Sequence, residues 1–111
     1  MHATETASLD YDFHPEAEAE YLEAIHRYDE VSIELGNRFV AEVETGIARV
    51  LQNQLWFKQV ARRVRRCLLQ TFPYGLLFEE EENRVFIVAV MHLHRHPDYW
   101  KKRMTGGEKH S

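Results

Sequence analysis

Apolar and polar positions alternate in short, distinct rhythms along the chain, and each rhythm predicts an element. Leu9, Tyr11 and Phe13 are separated by Asp10 and Asp12. Such period-two alternation predicts a strand over residues 8–14 with one buried face, and the polar leader 1–7 before it reads as flexible. Pro15 follows, in the first-turn position where its missing N–H has no helical partner to lose. From there Ala17, Tyr21, Ala24, Ile25 and Tyr28 recur at spacings of three and four, which predicts an amphipathic helix. Glu16, Glu18, Glu20 and Glu23 crowd its first turns, where the positive end of the helix dipole favours carboxylates, so all four read as solvated. Asp29 to Ser32 breaks the pattern, and Ser32 is a candidate N-cap for a second helix. The stripe of Leu35, Phe39, Val43, Ile47, Val50 and Leu51 defines that helix; Gly36 and Gly46 weaken it without ending it. Two amphipathic helices with so short a join predict an antiparallel hairpin.

After Trp56 and Phe57 the period changes again. Residues 61–72 read as a strand whose first half is basic: Arg62 and Arg66 share a side with Val64, while Arg63 and Arg65 point the other way. These arginines fit a polyanion site, or equally an edge strand guarded against association. Phe72 to Gly75 is a turn or bulge, Leu76 to Phe78 a further strand, and Glu79 to Asn83 a solvated hairpin tip. Val85 to Met91 is an unbroken run rich in β-branched residues, as expected of a strand covered on both sides. The predicted order is β-α-α-β-β-β: a two-layer α+β domain, with a small antiparallel sheet covered on one face by the helical hairpin. The opposite face is left partly open and is the natural place for a site.

Length keeps this to a single domain over residues 1–111, with 104–111 as a second flexible end. Cys67 is the only cysteine, so no intrachain disulfide forms, and its apolar surroundings predict an inert buried thiol. The N-terminus lacks the pattern of a signal peptide, and no apolar run is long enough to span a bilayer; a cytoplasmic location and no membrane partner are expected. Charge is segregated beneath a net value of -4. Residues 1–55 carry three arginines against twelve carboxylates, whereas residues 56–111 carry eleven Lys and Arg against six. An acidic first half and a basic second half can direct one face toward an acidic partner.

Chemistry concentrates in His92 to Arg103, HLHRHPDYWKKR, where the apolar strand ends. His92 and His94 titrate naturally near neutrality and are candidate acids or bases, with Tyr99 as another donor. Arg65, Arg66 and Arg95 offer the bidentate guanidinium geometry that suits a phosphate. His92, His94 and His96 alternate as metal ligands on a continued strand would, but Pro97 interrupts the strand and no carboxylate or cysteine completes the set. Neither metal nor cofactor is expected.

Three segments together resemble the RelE/ParE superfamily, the toxins of type II toxin-antitoxin modules of the plasmid-stabilisation kind. They are Leu35 to Val43, Arg65 to Tyr74, and the exit His92-x-x-Arg95-x-Pro97-x-Tyr99-Trp100-x-x-Arg103. The likeness extends over residues 8–103 and implies the fold derived above. It also implies a cognate antitoxin encoded by an adjacent gene, and one of two activities. RelE-like members cut mRNA on the ribosome without a metal, which here would fall to Arg65, Arg66, His92, Arg95 and Tyr99. ParE-like members inhibit DNA gyrase by binding it, and a relative that has lost toxicity is a third possibility. The chain departs from RelE-like nucleases in charge: it is net acidic, and Lys58 is its only lysine before the exit segment. Ribosome binding relies on phosphate neutralisation, which turns the expectation toward binding.

Overall fold

The computed structural model describes residues 11–81 and 84–104. Within them the chain forms β1 (Tyr11–Phe13), α1 (Pro15–Val31), α2 (Ile33–Gln52), a 3₁₀ turn (Gln54–Trp56), β2 (Lys58–Ala61), β3 (Val64–Leu68), β4 (Tyr74–Glu81) and β5 (Arg84–His92). The helical hairpin covers one face of a five-stranded sheet ordered β1-β5-β4-β3-β2, which is the α+β class the patterning implies. Residues 1–10, 82–83 and 105–111 lie outside the described residues; of the stretch expected as a solvated tip, Glu79 to Glu81 instead belong to β4, where Glu79 pairs with Arg63 and Glu80 with Arg65.

Local signals build the hairpin. Pro15 opens α1, with the His14 side chain accepting the Glu16 N–H at 3.0 Å. A single extended residue, Ser32, separates the helices and caps the second through its Oγ, which accepts the Leu35 N–H at 3.0 Å. So abrupt a join needs close approach. A Cβ at Gly36 would fall 1.7 Å from the Asp29 carboxylate, so glycine lets the end of α1 lie against the start of α2.

The main core lies between helices and sheet. Ala17 and Ala24 of α1, and Phe39, Val43, Ile47 and Val50 of α2, pack on Cys67, Tyr74, Leu76, Phe78, Val85, Ile87 and Val90. Phe39 anchors it, its ring 5.1, 5.2 and 5.3 Å from those of Tyr28, Phe72 and Tyr74. Burying one such side chain contributes about 3 kcal/mol. Cys67 is buried in this core, and burial pushes its thiol up, as expected of an unreactive cysteine.

Besides β4, which starts at Tyr74 inside the expected turn and runs on to Glu81, two features of the sheet differ from the sequence reading. The basic stretch is not one strand: a tight turn at Arg62 and Arg63 divides it, pairing Ala61 with Val64 and making β2 and β3 a hairpin. Arg63 takes the left-handed conformation there, with φ of 65°. The second difference is at the far edge, where β1 runs parallel to β5, Tyr11 opposite Val85 and Phe13 opposite Ile87. Only the other pairings are antiparallel.

A smaller core lies on the opposite face. Val64, Leu77, Val88, Ala89 and Met91 are covered by Trp100, only 2% exposed, as the chain folds back after β5. The Trp100 indole N–H donates to the Pro97 carbonyl at 2.6 Å, fixing the turn that brings the ring down.

Candidate functional site

The exit segment is held by one carboxylate. Beyond Ile87, β1 no longer pairs with β5, and the outer backbone groups of β5 need partners. Glu20 of α1 supplies one, its Oε1 accepting the Val90 N–H at 2.9 Å. Arg103 supplies another, Nη1 donating to the Val88 carbonyl at 2.7 Å. The two side chains also meet, Arg103 Nη2 standing 2.7 Å from Glu20 Oε2, with side chains 7% and 14% exposed. Tyr99 donates its hydroxyl to the same Oε2 at 2.8 Å. Arg95 lies with its guanidinium 3.8 Å from the Tyr99 ring centre and Nη1 3.8 Å from Glu20.

Electrostatics in this cluster favour the fixed state. Burial, followed by the neighbouring Glu20 carboxylate, pushes the Tyr99 hydroxyl far above its ordinary value. Arg103 is raised on balance, its burial outweighed by Glu20. A tyrosine whose hydroxyl already donates to a carboxylate, and an arginine held between Glu20 and Glu16, have little left for an incoming phosphate.

The other sequence-predicted residues are dispersed. Arg65 shares the helix-side face with Cys67. There it pairs with Glu80 and donates Nη1 to the Phe57 carbonyl at 2.8 Å. Arg66 points to the opposite face, shared with Val64 and Leu77. His92 ends β5 opposite Tyr74, with ring centres 5.0 Å apart, and a further 5.0 Å separates it from the His94 ring. Its Nδ1 accepts the His94 N–H at 3.1 Å, and burial, then His94 and Arg27, lower it below its ordinary value of 6.5. Thus Arg95 and Tyr99 come together, Arg65 and Arg66 diverge across the sheet, and His92 sits on the helix side. Among the described residues no group of three His, Cys, Asp or Glu side chains is placed to hold a metal.

Glu20 was the residue the sequence reading passed over as one solvated glutamate among four. The signal that marks it is positional. It lies three residues after Ala17 and four before Ala24, both buried, so it interrupts the helix stripe that faces the sheet.

A helical hairpin on a small sheet, closed by an aromatic and basic C-terminal segment, defines a compact α+β toxin domain of the kind the sequence motifs suggest. Residues 11–97 match the family model described as the ParE toxin of type II toxin-antitoxin system, parDE, and the chain belongs to that family. No curated protein matches the sequence significantly. The chain is therefore a toxin of a type II toxin-antitoxin system, and the family implies a cognate antitoxin as partner. No helix among the described residues is long and apolar enough to cross a membrane.

Proposed function

We propose that this chain arrests growth by binding a macromolecular target in the cytoplasm, with DNA gyrase as that target, and that an antitoxin encoded by the adjacent gene neutralises it. The observation that carries this reading is the engagement of Arg95, Tyr99 and Arg103 by Glu20. Phosphodiester cleavage needs a base, an acid and free cations converging on one phosphate. Here Tyr99 and Arg103 of the exit segment are engaged internally, Arg95 is stacked on the Tyr99 ring, and Arg65, Arg66 and His92 lie on different faces or strands. Net acidity adds to the argument, because a chain of charge -4 is poorly suited to tracking ribosomal RNA.

The test is expression without the neighbouring gene, followed by supercoiling assays with purified gyrase and by mapping of mRNA ends in arrested cells. Growth arrest with SOS induction and inhibited supercoiling is the expected result. Codon-specific mRNA cuts with normal gyrase activity would instead establish the RelE-like reading and return Arg65, Arg66, His92, Arg95 and Tyr99 to a catalytic role. Unimpaired growth would mark a relative that has lost toxicity.

A further inference from the structure

The face of the sheet away from the helices carries an unanswered pair of cations. The register of the β2–β3 hairpin sets Lys58 directly opposite Arg66. Residues so opposed project from the same side of the sheet, and like charges there repel. Among the described residues neither has an ion pair or hydrogen bond, and Arg66 Nε is buried without an acceptor. Buried donors in folded proteins are almost always partnered, because stripping water from one without compensation costs about 1–3 kcal/mol.

The surroundings define what would fit. The Arg66 stem lies over Gly75, where an added Cβ would be 3.3 Å from Arg66 Cγ and 3.4 Å from Leu68 Cδ2. The strip here is formed by the Arg66 stem and by Leu68, an apolar side chain 46% exposed, which together cover Gly75. Trp100 closes the neighbouring part of the face, around Val64, Leu77 and Met91, but not this strip. On the same side, opposite Val64, stands Glu79. Glu79 pairs there with Arg63 at 3.8 Å, so the positive charge left on this face beside Leu68 is that of Lys58 and Arg66, which suits a single carboxylate.

We propose that Lys58 and Arg66 form a carboxylate-binding site on the open face, filled by an acidic side chain of the antitoxin, with an adjoining apolar side chain lying against Leu68. This rests on the reading that the adjacent gene encodes an antitoxin that binds this chain. The Arg66 guanidinium donates to the carboxylate oxygens, and Lys58 adds a second cation from the edge strand.

The experiment is calorimetric titration of the purified protein from the adjacent gene into wild type, Arg66→Gln, Arg66→Lys and Lys58→Gln, at low and at moderate salt. Arg38→Gln, on α2, is the control. Arg66→Gln is expected to weaken binding about tenfold to a hundredfold and to flatten its salt dependence. Arg66→Lys, which keeps the charge but loses the fork, should fall between, Lys58→Gln should weaken binding less, and the control should match wild type. Replacing antitoxin carboxylates singly by Gln should reveal one whose effect vanishes in the Arg66→Gln background. Equal affinity and salt dependence for Arg66→Gln and wild type would overturn the site while leaving the antitoxin reading intact. So would loss of growth arrest or of RNA-oligonucleotide binding in Arg66→Gln with unchanged antitoxin affinity, since Arg66 would then face the target. Failure of wild type itself to bind would overturn both.

Discussion

Beyond Ile87 the outer edge of β5 has no strand beside it, and side chains take the place of one: Glu20 accepts from Val90 and Arg103 donates to Val88. At the other edge β2 has β3 on one side and, among the described residues, no strand on the other. An open edge is a template for a further strand, and Lys58 and the Arg62–Arg63 turn are the kind of charged residues that discourage self-pairing. The contrast shows how a small sheet makes association directional. The stretch of β5 beyond β1 is closed by an ion pair whose partners lie 83 residues apart, whereas β2 keeps its outer edge beside the cationic strip open to a partner.

Four variants would break or sharpen this comparison. The largest effect is expected for Trp100→Ala. It empties the smaller core and releases the segment that carries Arg103, and should cost about 4 kcal/mol in urea unfolding. Glu20→Ala comes next, at about 3 kcal/mol, because it strands a nearly buried Arg103 without its counter-ion. Hydrogen exchange separates sealing from mere stability: the Val90 amide should be protected in wild type, unlike the outward amides of β2, and should exchange much faster in Glu20→Ala even under strongly native conditions. If Val90 exchanges no faster than its neighbours in that variant, the carboxylate does not seal the edge.

At the open edge, Arg63→Gly should stabilise the fold by about 0.5–1 kcal/mol, since it relieves a side chain from the left-handed region. A loss of stability would show that the turn depends on the arginine side chain. The smallest effect concerns pH. His92 is lowered in the folded chain below its ordinary 6.5, so the unfolded chain takes up this proton first as pH falls. Its contribution to stability is complete above about pH 6.5 and is lost as pH drops through the folded value. Thermal melts of wild type and His92→Gln between pH 7.5 and 5 should show a shallower acid-side decline in the variant.

Much of this architecture was legible in the chain because its causes are local. Pro15, Ser32 and the three-and-four spacing of Ala17 to Leu51 mark two helices and their join within a residue or two of where they occur. The exit segment was legible in part: Tyr99 and Trp100, beside Pro97, read as aromatic anchors that fold it onto the sheet, and Trp100 does fold back onto the open face. The β2–β3 turn was not, because Arg62 and Arg63 are neither glycine, proline, asparagine nor aspartate, and nothing in the residues announces a reversal. Nor was the parallel pairing of β1, whose partner strand lies over 70 residues away.

The candidate site divides along the same line. Alternation alone put Arg65 and Arg66 on opposite sides of a strand, since that follows from backbone geometry at neighbouring positions. Which side meets the helices was decided by the packing of Cys67 inward and Val64 outward, and so by the whole sheet. Glu20 is the clearest case. Its sequence neighbours offer a full account of it as a helix N-terminal carboxylate, and only the folded chain brings Val90, Tyr99, Arg95 and Arg103 around it. The residues by themselves determined the helices, the strands' apolar faces and the aromatic anchor, because these depend on periodicity within a few positions. Tertiary structure alone decided which charges are spent inside the molecule and which remain for a partner, because an ion pair depends on where distant segments meet.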